Sequence, residues 1–317
     1  MRITGTFIDE ISFDIPHQNW GRAEWDRDFA AMKAMGIRRV IMIRCANGYW
    51  MTYPSQVIPR CRKVMHRPPV DLMDLFLDLA EKHGLEFFAG TCHGVDKNCG
   101  AGWTAEEFRQ EIEFNKLVIE EIQSLYGHRK AFKGWYLTHE VRANDPGVID
   151  LFVEQGSYAK KISGNKPTLI SPYFAGVKAA EACGEKDMEV LTVEAHARHW
   201  EEIFRRIAGA VDIVAFQDGH VDYPELRDYL RVTRELAQKY GIVCWSNVES
   251  FDRDMPWRFP PIKWEKFLWK LESAEAAGIE EGITFEFSHF MSPNSMWPSA
   301  HGLYKRYQEY LNGDFDR

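Results

Sequence analysis

The sequence predicts an α/β fold, a single (β/α)8 TIM barrel in which residues 1–317 form one catalytic domain with elaborated βα loops. Three observations carry that expectation. Short apolar, β-branched or aromatic runs alternate with longer amphipathic segments from one end to the other, the pattern of repeated βα units on a parallel sheet. Eight such units can be counted, the number that closes a barrel. Gly36, Gly84, Gly241 and Gly278 each follow an amphipathic segment just before the next apolar run, as a short αβ loop with a left-handed stop requires.

In chain order, the first strand is expected at 3–8 (ITGTFI), followed by a helix at 25–35 closed by Gly36. The second strand (39–44) leads to a helix at 70–83 closed by Gly84, and the third (86–90) to one at 104–126, where Thr104 and Glu107 stand in capping-box register. The fourth strand, at 133–137, lies in KGWYLTHE and precedes a helix at 148–162. The fifth (168–171) precedes one at 190–208, the sixth (213–216) one at 226–240, and the seventh (242–246) one at 263–277. An eighth strand at 282–287 and a helix at 303–311 complete the ring. The long connections, 45–69, 91–103, 173–188 and 251–261, all follow strands. That asymmetry elaborates the C-terminal face, where barrel enzymes carry their sites.

Composition narrows the function class. The chain is 45% hydrophobic and 27% charged, ordinary for a protein with a large core. A net charge of -8 and the lack of any dense Lys/Arg block argue against nucleic acid as a partner. No apolar run approaches the roughly 18 residues of a membrane span. The compartment stays open: cytoplasmic for the chain as written, periplasmic or secreted if a signal peptide preceded it. The six cysteines show no CxxC and no metal-ligand spacing, and read as small core residues, with a Cys92–Cys99 bridge as an alternative for that pair. GxGxxG after the first strand, a P-loop, GxSxG and HExxH are all lacking, so no cofactor and no metal is expected.

The candidate site is the set of polar residues at the strand ends: Asp9 and Glu10, Arg44 and Asn47, Thr91 and His93, His139 and Glu140, Tyr173, Gln217, Asp218 and His220, Asn247 and Glu249, Glu286 and His289. Two carboxylates flanking one bond are what glycoside hydrolysis needs, one protonating the leaving oxygen and the other attacking the anomeric carbon or activating water. Glu140 and Glu249, ending the fourth and seventh strands, face each other across a barrel mouth and are the expected catalytic pair. A separation of about 5 to 5.5 Å makes such a pair retaining, and roughly 6.5 to 9.5 Å inverting. Glu140 is expected to be protonated, through burial and the neighbouring carboxylate, and Glu249 ionised, held by Asn247 or Tyr173. The bland alternatives are a rim ion pair from Glu140 to Arg44 or Arg142, a loop anchor for Glu249, and an Asx turn for Asp218.

Substrate contacts are expected from Asp9, Glu10, Arg44, His93, His139, Tyr173, Gln217, Asp218, Asn247 and Glu286; Glu286, inside its strand, needs a partner such as Arg44 or a metal, and capping or bracing the barrel end is the alternative for one of Asp9 and Glu10. Sugar rings stack on aromatic planes, and Trp50, Trp103, Trp245, Trp257 and Trp297 fall on or beside the predicted mouth. Trp25, Trp200, Trp264 and Trp269 fall inside helices and read as core. Tyr49, Trp50 and Tyr53 put either a subsite wall or a dimer contact on the loop at 45–69, so an oligomer is compatible with the sequence.

WYLTHE, at 135–140, resembles the fourth-strand acid/base segment of clan A glycoside hydrolases, (β/α)8 enzymes whose acid/base glutamate usually follows asparagine and whose nucleophile glutamate ends the seventh strand. His139 stands where that asparagine would be, so recognition beside the acid differs here. Over nearly the whole chain, GTFIDE, KGWYLTHE, DIVAFQDG and CWSNVESF resemble the barrel family catalogued as domain of unknown function 4434. The resemblance implies the barrel fold and glycosidase activity on an oligosaccharide or glycoside, and leaves the sugar open. The expectation is therefore a retaining glycoside hydrolase. Its rivals are a divalent-metal-dependent sugar isomerase or epimerase using Glu140, Asp218, His220 and Glu286 as ligands, and a non-catalytic carbohydrate-binding barrel.

Overall fold

The computed structural model describes residues 1–314 apart from 13, 14, 16, 62–65, 67, 68, 94–102, 144, 180–188 and 256–258. Eight parallel strands close a barrel: β1 (Arg2–Ile8), β2 (Arg39–Met42), β3 (Glu86–Gly90), β4 (Phe132–Tyr136), β5 (Thr168–Ile170), β6 (Ile213–Gln217), β7 (Val243–Asn247) and β8 (Glu281–Thr284), with β8 pairing back onto β1. Around them run α1 (Arg22–Ala34), α2 (Leu72–His83), α3 (Ala105–Tyr126), α4 (Pro146–Ile162), α5 (Val193–Ile207), α6 (Tyr223–Lys239), α7 (Trp264–Ala276) and α8 (Pro298–Asn312).

Local chemistry explains these boundaries. Gly36, Gly84, Gly241 and Gly278 have φ between 65° and 85°, a conformation only glycine adopts without strain. Thr104 opens α3 in a reciprocal capping box with Glu107, and the Asp71 side chain accepts from the Asp74 N–H at the start of α2. Helices α4, α6 and α8 begin earlier than apolar spacing alone predicts because Pro146, Pro224 and Pro298 lie in their first turns, where a missing N–H costs nothing. The loop after β2 carries a small antiparallel hairpin (Ala46–Asn47 with Trp50–Met51) and a short helix, Ile58–Cys61, too brief for periodicity to show. The Cys92 thiol is free; Cys99 lies outside the described residues.

Side chains alternate across the strands. One set (Phe7, Ile41, Ile43, Phe88, Tyr136, Leu169, Ile213, Ala215, Trp245 and Ile283) fills the barrel interior, and the other packs outward against the helices. At the N-terminal end Arg39 stands over the Trp245 ring, 4.7 Å away. Its guanidinium is anchored by Glu86 at 2.9 Å and Glu281 at 2.5 Å. Trp245 is therefore buried in the lower interior rather than placed at the mouth, because it sits one inward position below the strand end. Trp269 departs in the opposite sense: expected in the core, it is 49% exposed.

Close approach between strands is tightest at Gly90, where an added Cβ would lie 2.4 Å from the Met42 carbonyl oxygen and 2.6 Å from that of Ile43. Gly90→Ala must separate β2 from β3. It is expected to destabilise the fold by about 1–3 kcal/mol, measurable as a lowered unfolding midpoint by calorimetry; an unchanged midpoint would show that the strands yield freely here.

Candidate active site

The inward alternation continues past the strands. Above the interior layer come Asp9, Thr138, Ser171, Gln217 and Asn247, each two residues beyond an interior residue. Two residues further on β4 and β7 come Glu140 and Glu249. The period of two places both acids on the inner side of the mouth.

Glu249 is 1% exposed and receives Arg253 in a bidentate pair, Nε to Oε2 at 2.8 Å and Nη2 to Oε1 at 2.6 Å. Burial alone would raise its pKa, but Arg253, Lys270 and His220 together hold it at about 2. Glu140 is shifted in the opposite direction. Burial raises its pKa, against the nearby Arg44 charge, a hydrogen bond with the Gln217 side chain and the Arg253 charge, while the Glu249 carboxylate raises it further. Gln217 is itself fixed by donating to the Ser171 carbonyl at 3.0 Å. Asn247 donates to the Ser171 hydroxyl at 3.1 Å. Glu249 is thus held by arginine, while Asn247, expected from the sequence to hold it, donates to Ser171.

Residues of the other parity turn outward. Asp218 Oδ1 accepts from Lys270 Nζ of α7 at 2.6 Å and from the Glu249 N–H at 3.1 Å. Burial lifts its pKa to about 6 despite the lysine. His139 has no exposed surface. It stacks on His93 with ring centres 5.0 Å apart, and its Nε2 lies 3.3 Å from Glu111 of α3. A side chain in that place braces the wall behind Glu140, so the direct sugar contact expected of it is not where the structure puts it.

Gly219 lies against the ion pair, and a Cβ there would stand 1.9 Å from Glu249 Oε2 and 2.7 Å from Arg253 Nε. Gly219→Ala is expected to displace the pair. With Glu249 as a nucleophile, kcat would fall at least tenfold on the scale of about one misplaced contact while circular dichroism stays unchanged; retained kcat would mean that Glu249 needs no fixed position.

No curated protein matches the chain. The family model described as "Domain of unknown function (DUF4434)" matches residues 3–297. The chain belongs to this family. A solved structure from Bacteroides thetaiotaomicron, described as a putative alpha-L-fucosidase, is similar at 48% identity with a TM-score of 0.89, over 98% of this chain and 93% of that one. An endo-1,4-beta-D-mannanase from Thermotoga petrophila (13% identity, TM-score 0.55, 90% and 88% covered) and a beta-glucuronidase from an uncultured Clostridium (14%, 0.58, 97% and 50%) share the barrel fold.

In this DUF4434 chain the remaining candidates fall into two groups. Where β8 meets β1 lie Asp9, Glu10, Glu286 and His289. β8 ends at Thr284, so Glu286 is not inside a strand. It caps the short helix Phe287–Phe290, accepting from the Ser288 and His289 N–H groups, and pairs with the His289 ring rather than with Arg44. Burial would lower the pKa of His289, but Glu286, Glu10 and Asp9 raise it to about 9. Burial pushes Glu10 up to about 7, opposed by His289. The second group lies at the rim. Trp50 is 52% exposed and packs on His66, Tyr173 packs on His220 at 4.9 Å, and Trp103 touches His139. Trp257 lies outside the described residues.

Of the four residues weighed as metal ligands, Asp218 is engaged by Lys270 and Glu286 by His289. Among the described residues no group of three or more His, Cys, Asp or Glu side chains is gathered to hold an ion, and no helix is long and apolar enough to cross a membrane. Sequence reasoning missed Lys270 and Arg253. Lys270 had a signal: with Phe267, Leu271 and Ala274 it occupies the apolar face of its helix.

Proposed function

We propose that this protein is a retaining glycoside hydrolase in which Glu140 is the general acid/base and Glu249 the nucleophile. The observation that carries the reading is the opposite shift of two carboxyls on the inner side of one mouth, half-buried Glu140 raised and Glu249, buried against Arg253, held at about 2. That division is what separates a proton donor from a nucleophile in one pocket. The relative described as a putative alpha-L-fucosidase supports the class.

The steps follow from the groups in place. Glu140, protonated on arrival of the substrate, donates to the glycosidic oxygen as Glu249 attacks the anomeric carbon. A carboxylate oxygen has lone pairs beyond the one Arg253 occupies, so attack does not require the pair to break. Glu140, now ionised, takes a proton from water, which cleaves the glycosyl ester on Glu249. Two buried polar atoms without protein partners, Arg44 Nε and Asn247 Oδ1, suit the hydroxyls of a sugar, since such atoms are stabilised only when bonded.

The test is hydrolysis of a panel of aryl glycosides, beginning with aryl α-L-fucosides, and of plant and host oligosaccharides, with the first-formed anomer read by proton NMR. Cleavage with retained configuration is expected. An inverted product would overturn the assignment of Glu249 as nucleophile, and no cleavage across the panel would overturn the hydrolase.

As for pH, kcat/KM should fall as pH rises through the raised pKa of Glu140, because the proton donor is lost. On the acid side it should hold until Glu249 begins to protonate near 2. A profile still rising above pH 9 would assign the proton donor elsewhere.

A further inference from the structure

Lys270 is 3% exposed, on a helix of the outer layer, with a charge that reaches through to the mouth. Such a lysine is costly to bury unless it is paired and hydrogen-bonded, and it is both. Its Nζ donates to Asp218 Oδ1 at 2.6 Å and to the Glu249 carbonyl at 3.2 Å. The same Asp218 oxygen accepts from the Glu249 N–H at 3.1 Å. The backbone N–H and C=O of Glu249, two residues past the end of β7, are therefore both tied to one buried ion pair, while the N–H groups on either side, of Val248 and Ser250, donate to the Ile283 and Phe285 carbonyls.

We infer that Lys270 is a positioning residue which, with Asp218, clamps the backbone of Glu249 and so sets where its carboxylate stands in the mouth; the catalytic meaning rests on Glu249 being the nucleophile. A purely structural lysine would need only Asp218. Contact with both polar groups of the Glu249 peptide frame is what makes the clamp specific. Of the Asp218 carboxylate, Oδ1 is taken by the clamp and Oδ2, buried without a hydrogen-bond partner, is the oxygen left for the sugar contact expected from the sequence. The titratable groups facing Glu249 are Arg253 four residues on, Asp218 and His220 after β6, Glu140 after β4, Tyr223 at the start of α6 and Lys270 from α7. Of these Lys270 is the cation that comes from the helix layer.

The test uses the intact protein labelled with carbon-13 at glutamate carboxyls, the Glu249 signal being assigned by its loss in Glu249→Gln. In Lys270→Met the Glu249 titration midpoint is expected to rise by about one pH unit or more, and the Glu249 amide to exchange with solvent about tenfold faster or more. Lys270→Arg, which keeps the charge, should recover most of the titration shift. An unchanged midpoint and exchange rate in folded Lys270→Met would overturn the proposal. If that variant does not fold, Lys270→Gln is read by the same two criteria. In the unmodified protein Lys270 must give a solvent-protected nitrogen-15 ammonium signal, and absence of that signal overturns the proposal whatever the variants do. None of these readouts uses a substrate, so failure of the glycoside panel and failure of the clamp are separate results. Where a substrate is found, Lys270→Met should lower kcat with KM little changed.

Discussion

Glu249→Ala is expected to abolish turnover, by about 10⁴-fold or more, the scale on which loss of a covalent nucleophile removes catalysis. Glu140→Ala should behave differently, because the two carboxyls act at different moments. With an aryl glycoside whose leaving group departs without a proton, the first step survives in Glu140→Ala and the second slows for want of a base. The expected trace is a burst of aryl release stoichiometric with protein, followed by a slow phase reduced about 10²–10⁴-fold. Glu249→Ala should give no burst. The Arg253 left behind is half-buried, 17% exposed on its side chain, so Glu249→Gln, which keeps an acceptor for the guanidinium, serves as the better-folded control. Two variants with identical traces would mean that the acids do not divide the work. Near-unmodified turnover in either would remove it from the mechanism.

The barrel was legible because its signals are local and repeated. Each glycine stop, capping residue and apolar run is read within a few residues, and repetition of the unit gives the topology. The catalytic candidates were legible for a related reason. Inward and outward positions alternate, so Tyr136 and Trp245 as interior residues commit Glu140 and Glu249, four residues on, to the same side.

What the sequence did not show depends on neighbours distant in the chain. Strand-end residues alternate in direction, so part of the candidate set turns outward from the mouth. His139 went to Glu111 on α3, Asp218 to Lys270 on α7, and Glu286 to the start of its own short helix. Parity could have separated these from Glu140 and Glu249. Identity of the partner could not, since 52 residues separate Asp218 from Lys270. Arg253 was closer to hand, four residues after Glu249, but no helix joins them and the loop geometry that folds one onto the other has no simple period.

That arginine gives the second large effect. Arg253→Met is expected to cost about 3 kcal/mol of stability at neutral pH, because a buried carboxylate loses its bidentate partner while staying in place. The sign follows from the titration. Glu249 has a folded pKa of about 2 against an ordinary 4.5; a depressed group stabilises the fold above its unfolded pKa, and that stabilisation is lost as pH falls from 4.5 through 2. In Arg253→Met the largest influence left is burial, which raises the pKa, so Glu249 takes up a proton in mild acid and its burial then ceases to be penalised. The difference in unfolding free energy between the variant and the unmodified protein should therefore be greatest near pH 7 and shrink by pH 4, measured by urea titration at both. The acid limb of kcat/KM should move upward in the same variant, since the nucleophile is then protonated at a pH where it is normally ionised. A stability loss of equal size at both pH values would attribute the effect to packing of Arg253 over the Phe251 ring, 4.8 Å away, and not to the charge on Glu249.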